Sequence, residues 1–396
     1  MSAPRKVLLA DPVVVSHSLL YYEAALASAG FEETEFTVAA AVQREEDWDR
    51  VTEFSRSRPR LKLRRLDVDP GRCLGRWECW RGFGRSMRAI EQILRSDRFD
   101  LVAYLSLDVV LVYFAIAAFR RHIRAHCQAG VAGALFRDNG LRPPANPALK
   151  ARARSVMDLW ILRRALGSGG VRKAAFLDPW CADRARELLK TDRCGYGVDP
   201  VFAGPCDPGA ARAQFGLARD DFVFLLFGLL SDRKGILESL ARLREAPLPA
   251  AKTVLLVAGP ASPGLQRQLD LELAAAARKY RVIRHDRFIQ RTEMPAYFAA
   301  ADCAVCLYKD FSGSSSVLLH AATYGNTALV CPGGAMEDAV RKYDFGEVVR
   351  LDDAEGFSVA VARLAGLDDA TRKGMAERAR TYGATMDARR FMSQFL

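Results

Sequence analysis

The sequence predicts an α/β protein built from two parallel-sheet halves. Three observations carry this. Short apolar runs of strand length alternate with longer segments of helical spacing along the whole chain. That alternation restarts after a Gly/Pro-rich stretch, residues 195–199 followed by Gly204, Pro205, Pro208 and Gly209. The apolar runs end in polar loops, where open parallel sheets gather their ligands. The boundary falls near residue 205, giving domains 1–204 and 205–396.

A chain of 396 residues is long enough for two domains of roughly 100–200 residues each. It is 50% apolar and 27% charged, which excludes a disordered polymer. Nine cysteines lie without a ladder of spacings, so reduced thiols are expected. Cys303 and Cys306 sit inside an apolar strand run and read as core. Residues 1–6 lead into a short run that meets Asp11 and Pro12, so no signal peptide is expected. The most apolar window, residues 101–119, contains Asp108 and reads as strand into helix, not as a membrane span. A cytoplasmic protein is expected. Residues 1–200 carry 33 Lys+Arg against 24 Asp+Glu, and the remainder 25 against 23. The first half is the electropositive one, which suits an anionic ligand or surface.

In order, residues 7–10 form a first strand, 11–16 a loop, 19–29 a helix and 36–42 a second strand. His17 falls on the loop where a site at strand ends would lie. Residues 50–98 are strongly basic, and within them Trp77, Trp80, Met87, Ile90 and Leu94 fall near helical spacing. Such a stripe either packs on its own core or lies on an anionic membrane. No recognition module accompanies the charge, so nucleic acid is not expected. A strand at 101–105 is followed by Asp108 and a helix to about residue 122. A strand at 131–136 ends in the polar turn Arg137-Asp138-Asn139-Gly140. Pro143, Pro144 and Pro147 mark a loop before a helix at 148–166. A strand at 173–177 and a helix at 182–189 close the half.

The second half repeats the rhythm. Phe222–Phe227 is a buried strand, 228–234 a loop, and a helix begins at Gly235. Strands follow at 254–258 and 282–283, then a helix from 293 to 301 capped by Thr292. Residues 303–307 are a strand, Ser312-Gly313-Ser314-Ser315-Ser316 a loop, and a helix runs from there to Gly325. A Gly/Ser loop opening a helix offers N–H groups, hydroxyls and the positive dipole end to phosphate oxygens. Its plainer role is a helix cap by Ser314 or Ser315. A strand at 327–330 and a helix opened by Glu337 follow. The last helix, from residue 370, is amphipathic enough to fold back on either half.

Several short motifs carry a family resemblance. They are Gly197-Val198-Asp199, Phe227-Gly228 with Lys234-Gly235, Asp286-Arg287-Phe288-Ile289, Ala301-Asp302, Gly325 with its strand, and Gly333-Gly334 with Glu337. As an ordered set they resemble the nucleotide-sugar half of the GT-B glycosyltransferases, most closely the retaining family four. The resemblance covers residues 195–350 and implies two Rossmann-like domains facing a cleft. It implies a metal-independent, cofactor-free enzyme that moves a sugar from a nucleotide diphosphate sugar to an acceptor, saccharide or lipid-linked. The family's two glutamates, eight residues apart, are Ser312 and His320 here, and its arginine after the strand glycine is Leu229. The resemblance assigns donor binding to Gly228, Arg233, Lys234, Ser312, Gly313, Ser314, Ser315, Ser316, His320 and Glu337. Lys234 would neutralise the leaving diphosphate. A retaining transfer needs no dedicated base. An inverting one needs a base, for which His17 oriented by Asp108 serves, with Arg137 and Asp138 as acceptor-side candidates. A catalytically silent scaffold and a sugar-nucleotide epimerase are the alternatives.

Overall fold

The computed structural model describes residues 4–14, 18–69, 76–120, 123–142 and 149–396, with side chains omitted at 76–82 and 151. The chain divides into two compact units, residues 1–200 with 387–396, and residues 201–386. The domain change thus falls at Pro200/Val201. The sequence placed it four residues later.

The first unit holds seven parallel strands: β1 (Lys6–Asp11), β2 (Glu35–Ala40), β3 (Leu61–Arg65), β4 (Leu101–Tyr104), β5 (Val131–Leu135), β6 (Val171–Phe176) and β7 (Cys194–Tyr196), in the order β3-β2-β1-β4-β5-β6-β7. The second holds six: β8 (Phe222–Phe227), β9 (Thr253–Ala258), β10 (Arg281–His285), β11 (Cys303–Cys306), β12 (Thr327–Val330) and β13 (Gly346–Val348), in the order β10-β9-β8-β11-β12-β13. Every pairing is parallel. Central strands such as β8, β9, β11 and β12 are buried along their whole length, as helices on both faces require. Each unit has its own core. Tyr104, Phe114 and Phe176 are buried in the first, and Phe224, Leu240 and Phe357 in the second.

Several boundaries differ from the sequence reading. β3, LKLRR, hides in the basic stretch because it is a sheet edge. Edge strands tolerate and even favour charge. The helix expected to reach residue 122 breaks at Ile116 into Leu111–Ala115 and Ala117–Arg120. Thr292 does not cap: the helix is Met294–Ala300, with Glu293 at the cap position and Pro295 in the first turn. The last helix, Asp369–Ala384, stays in the second unit, packed on Ser316–Tyr324.

Of the chain beyond that helix, residues 387–396 belong to the first unit. There Phe391 stacks on Tyr21 at 5.5 Å and Gln394 Oε1 accepts from Val198 N at 2.7 Å. In the basic segment, the helix Arg76–Ser96 turns Phe83, Met87 and Ile90 into the core, while Arg85 donates to the Asp69 carbonyl. The side chains of Trp77 and Trp80 lie outside the described residues.

Candidate active site

The strand order of the second unit runs outward both ways from the β8–β11 pair. Connections leave to opposite sides there, and a crevice opens at the carboxyl ends of those two strands. β8 ends at Phe227, and Gly228 turns the chain at φ +86°. The turn admits no side chain on the facing strand end. A Cβ on Gly259 would lie 2.0 Å from the Gly228 carbonyl oxygen.

Lys234 ends the short turn Asp232–Lys234 and is buried. Its Nζ donates to the Phe227 carbonyl at 2.7 Å. Among the described residues this is its one hydrogen bond, so two N–H groups remain to donate. Loss of solvent pulls its pKa down to about 8, with the Cys306 thiol opposing and Arg233 adding to the shift. Arg233 is exposed, and its guanidinium lies 5.2 Å from the Tyr308 ring centroid and 5.0 Å from that of Phe311.

β11 delivers the other wall. Tyr308 is buried two residues beyond its end, and Lys234 Nζ lies 5.6 Å from its ring centroid. The Tyr308 hydroxyl accepts from Ser315 Oγ at 2.9 Å. Ser315 in turn caps the helix Ser316–Tyr324, accepting from Leu318 N at 3.5 Å. Of the serines, Ser315 is therefore the cap, while Ser312, Gly313 and Ser314 form the half-buried loop before it and Ser316 the first helical position. The Ser312 carbonyl accepts from Ala335 N at 2.9 Å, which draws the start of the next helix, Ala335–Tyr343, against the loop.

His320 lies on the same helix, stacked on Phe298 at 5.4 Å. Its Nδ1 donates to the Ser316 carbonyl at 2.7 Å. Burial lowers its pKa, so the ring is neutral and Nε2 presents a lone pair. Glu337 is engaged locally: Oε2 accepts from Gly333 N at 2.6 Å and Oε1 from Arg341 at 2.7 Å.

The first unit has its own strand-end cluster. Asp108, in a turn after β4, accepts from Phe136 N at 2.7 Å, Asn139 Nδ2 at 2.8 Å and Arg137 N at 3.4 Å. It clips β4 to the turn after β5. Desolvation raises its pKa, and those donors hold the rise back. Asp138 accepts from Gly140 N at 3.0 Å, and Arg137 is exposed. His17 lies outside the described residues.

Two residues at strand ends were not legible beforehand. Tyr308 joins Lys234, Arg233 and Ser315, and its signal was an aromatic side chain just past a buried strand. Asp11 ends β1, buried, accepting from Tyr22 Oη at 2.7 Å, and burial pushes its pKa up to about 6. The sequence placed it in the loop. Among the described residues no group of three or more His, Cys, Asp or Glu is arranged to hold a metal. No helix there is long and apolar enough to cross a membrane.

Two doubly wound parallel-sheet units in one chain, with a cationic crevice at the switch point of the second, define the GT-B fold of glycosyltransferases. Residues 221–366, most of the second unit, match the sequence model of a family described as glycosyl transferases group 1. Among solved structures, sucrose-phosphate synthase from Thermosynechococcus elongatus superposes with a TM-score of 0.73 at 15% identity, covering 96% of this chain and 94% of that one. The N-terminal domain of trehalose-6-phosphate phosphatase from Candida albicans gives 0.70 at 12% identity, covering 100% and 96%. Anabaena HepE in complex with UDP-glucose gives 0.66 at 15% identity, covering 98% of each. These likenesses are of fold. No curated protein sequence matches the chain.

Proposed function

We propose that this chain transfers a sugar from a nucleotide diphosphate sugar to an acceptor hydroxyl. The observation that carries the reading is Lys234, a buried cation with two uncommitted N–H groups at the end of β8, across from the helix start after β11. A buried ammonium without a carboxylate partner is costly unless an anion completes it. A pyrophosphate does so, with Arg233 as a second positive charge and the Ser312–Ser316 loop and helix start as hydrogen-bond donors. These groups are fixed before the reaction and face the charge that grows on the departing diphosphate, so they lower the barrier without metal or cofactor.

The neutral His320 takes the place of the ribose-binding glutamate, its Nε2 accepting from a ribose hydroxyl. Glu337 contributes by fixing the start of its own helix beside Ser312. The likeness to HepE bound to UDP-glucose favours a uridine donor. Acceptor contacts fall to the first unit, around Asp108, Arg137 and Asp138, with His17 as the base if transfer inverts configuration. The seven described cysteines are free thiols, which suits a cytoplasmic enzyme. The test is calorimetric titration with UDP, GDP and their sugars. Binding that disappears in Lys234→Ala supports the reading, and no heat from any of them removes it.

One set of observations favours a silent scaffold instead. The resemblance puts Ser312 and His320 where the family has its glutamate pair, and Glu337 is paired with Arg341. Donor binding without hydrolysis or transfer to any saccharide or lipid acceptor would select that reading.

A further inference from the structure

The helix Leu149–Gly167 of the first unit has two apolar faces. The inner one, with Leu162, Ala165 and Leu166, is buried against the helix Leu111–Ala115. The outer one is Leu149, Ala153, Val156 and Trp160, spaced i, i+4, i+7 and i+11, with Met157 beside them. This is one continuous stripe on the side opposite the core. It is open to solvent: Leu149 is 84% exposed, Val156 70% and Trp160 49%. At 1.5 Å per residue the stripe runs about 16 Å along the surface.

Cations border it on both edges. Arg152 and Arg163 lie along one edge, and Lys150, Arg154 and Arg164 along the other. The helix carries a single acidic side chain, Asp158, 3.7 Å from Arg154. At the carboxyl end the helix opens on a groove of about 990 Å³ lined by Arg120, Trp160, Arg163, Arg164, Lys190 and Arg193 among others, with Asp192 as its one carboxylate. Arg193 is partly accounted for, since it donates to the Leu166 carbonyl at 2.7 Å. Cations at a helix end complement the dipole. The dipole gives no reason for an exposed tryptophan, valine and leucine in line between two rows of arginine.

We propose that this face lies in the plane of an anionic phospholipid bilayer, with the stripe among the acyl chains. The arginine and lysine heads reach back to the headgroup phosphates. An interfacial helix has this cross-section: apolar in the middle, cationic on both flanks, tryptophan at headgroup depth. Charge complementarity selects lipid phosphate, because a protein partner would need an apolar ridge flanked on both sides by acidic rows. In the helix Arg76–Ser96, Met87 and Ile90 face the core. The proposal stands apart from sugar transfer. Vesicle binding without nucleotide-sugar binding leaves it intact, and the reverse result removes it alone.

The experiment is sedimentation of the full chain with vesicles of phosphatidylglycerol and phosphatidylcholine, and with phosphatidylcholine alone. The wild type pellets with the first mixture, weakly with the second, and less at high salt. Val156→Asp combined with Trp160→Asp lowers the partition coefficient at least about tenfold. Arg163→Glu with Arg164→Glu does the same on anionic vesicles. Both pairs are exposed, and circular dichroism checks that each variant is folded. If the first pair misfolds, the second decides. Absence of pelleting overturns the proposal, and so does pelleting unaltered by either pair. A loss caused instead by Arg85→Glu with Arg88→Glu also overturns it. So does a wild-type dimer that dissociates in the stripe variant without any vesicle binding, which would assign the stripe to a second copy.

Discussion

The ammonium nitrogen of Lys234 lies 5.6 Å from the centre of the Tyr308 ring, and the hydroxyl of that ring accepts from Ser315 at 2.9 Å. One aromatic side chain thus spans from the cation at the end of β8 to the cap of the helix after β11. Tyr308→Phe keeps the ring and deletes the hydroxyl that accepts from Ser315 Oγ. Stability should drop by about 1 kcal/mol, and donor affinity severalfold as the cap loosens. Tyr308→Ala removes the wall itself and should cost roughly 3–5 kcal/mol. Thermal unfolding and nucleotide titration check both. Equal donor affinity in wild type and Tyr308→Ala would show that the ring does not shape the site.

Lys234 makes donor affinity depend on pH. In the empty site its pKa is pulled down to about 8 by burial. A bound diphosphate favours the charged form and raises it. Below pH 7 the ammonium is already protonated and affinity is flat. Above 8 binding must first take up a proton, so affinity falls by up to about tenfold per pH unit until the raised value is passed. Titrations in buffers of different ionisation enthalpy at pH 8 should therefore report proton uptake. Lys234→Ala should weaken UDP binding roughly 10- to 100-fold at pH 7 and abolish the uptake.

Uninterrupted apolar runs made the second unit readable. β8, β9, β11 and β12 are buried on both faces, so each is a block of hydrophobic residues that needs no alternation to be seen. β3 and β13 escaped because an edge strand can be charged and a strand of three residues has no pattern. Lys234 was visible from its place beside a glycine at a strand end. The Ser315–Tyr308 pairing was not, because it depends on how β11 leads into the loop. The helix Leu149–Gly167 is a different case. The sequence marked it only as helical, and the fold shows which of its apolar residues turn inward and that Leu149, Val156 and Trp160 point outward.

Asp11 opposes stability at neutral pH. Burial raises its folded-state pKa to about 6, against 3.8 for the free group, while Tyr22 and Ser18 hold it by hydrogen bonds. Between those values the folded chain binds more protons than the unfolded one, so stability falls as pH rises and is lowest from this source above 6. The shift corresponds to roughly 3 kcal/mol. Asp11→Asn keeps an acceptor for Tyr22, and the Ser18 hydroxyl can turn to accept from the amide. The variant should gain stability over wild type at pH 7.5 and lose that advantage near pH 4. Urea unfolding at the two pH values measures it.

His126 acts in the opposite sense. It is fully buried, its Nδ1 lies 2.9 Å from Glu91 Oε2, and its ring stacks on Tyr104 at 6.2 Å. Nε2 is buried with no partner among the described residues. Desolvation lowers its pKa, although Glu91 pulls the other way. The unfolded chain therefore takes up this proton first as pH falls. The stability His126 contributes is present above its ordinary value of 6.5 and is lost as pH drops through the lower folded value. Protonation would also put a second N–H donor into a site without an acceptor. His126→Asn keeps a donor toward Glu91 and cannot charge. It should lose about 1–2 kcal/mol at pH 7.5 from the missing ring but show a flatter decline between pH 7 and 5. Urea midpoints across that range decide the matter. A decline as steep as in the wild type would assign the acid sensitivity to another group.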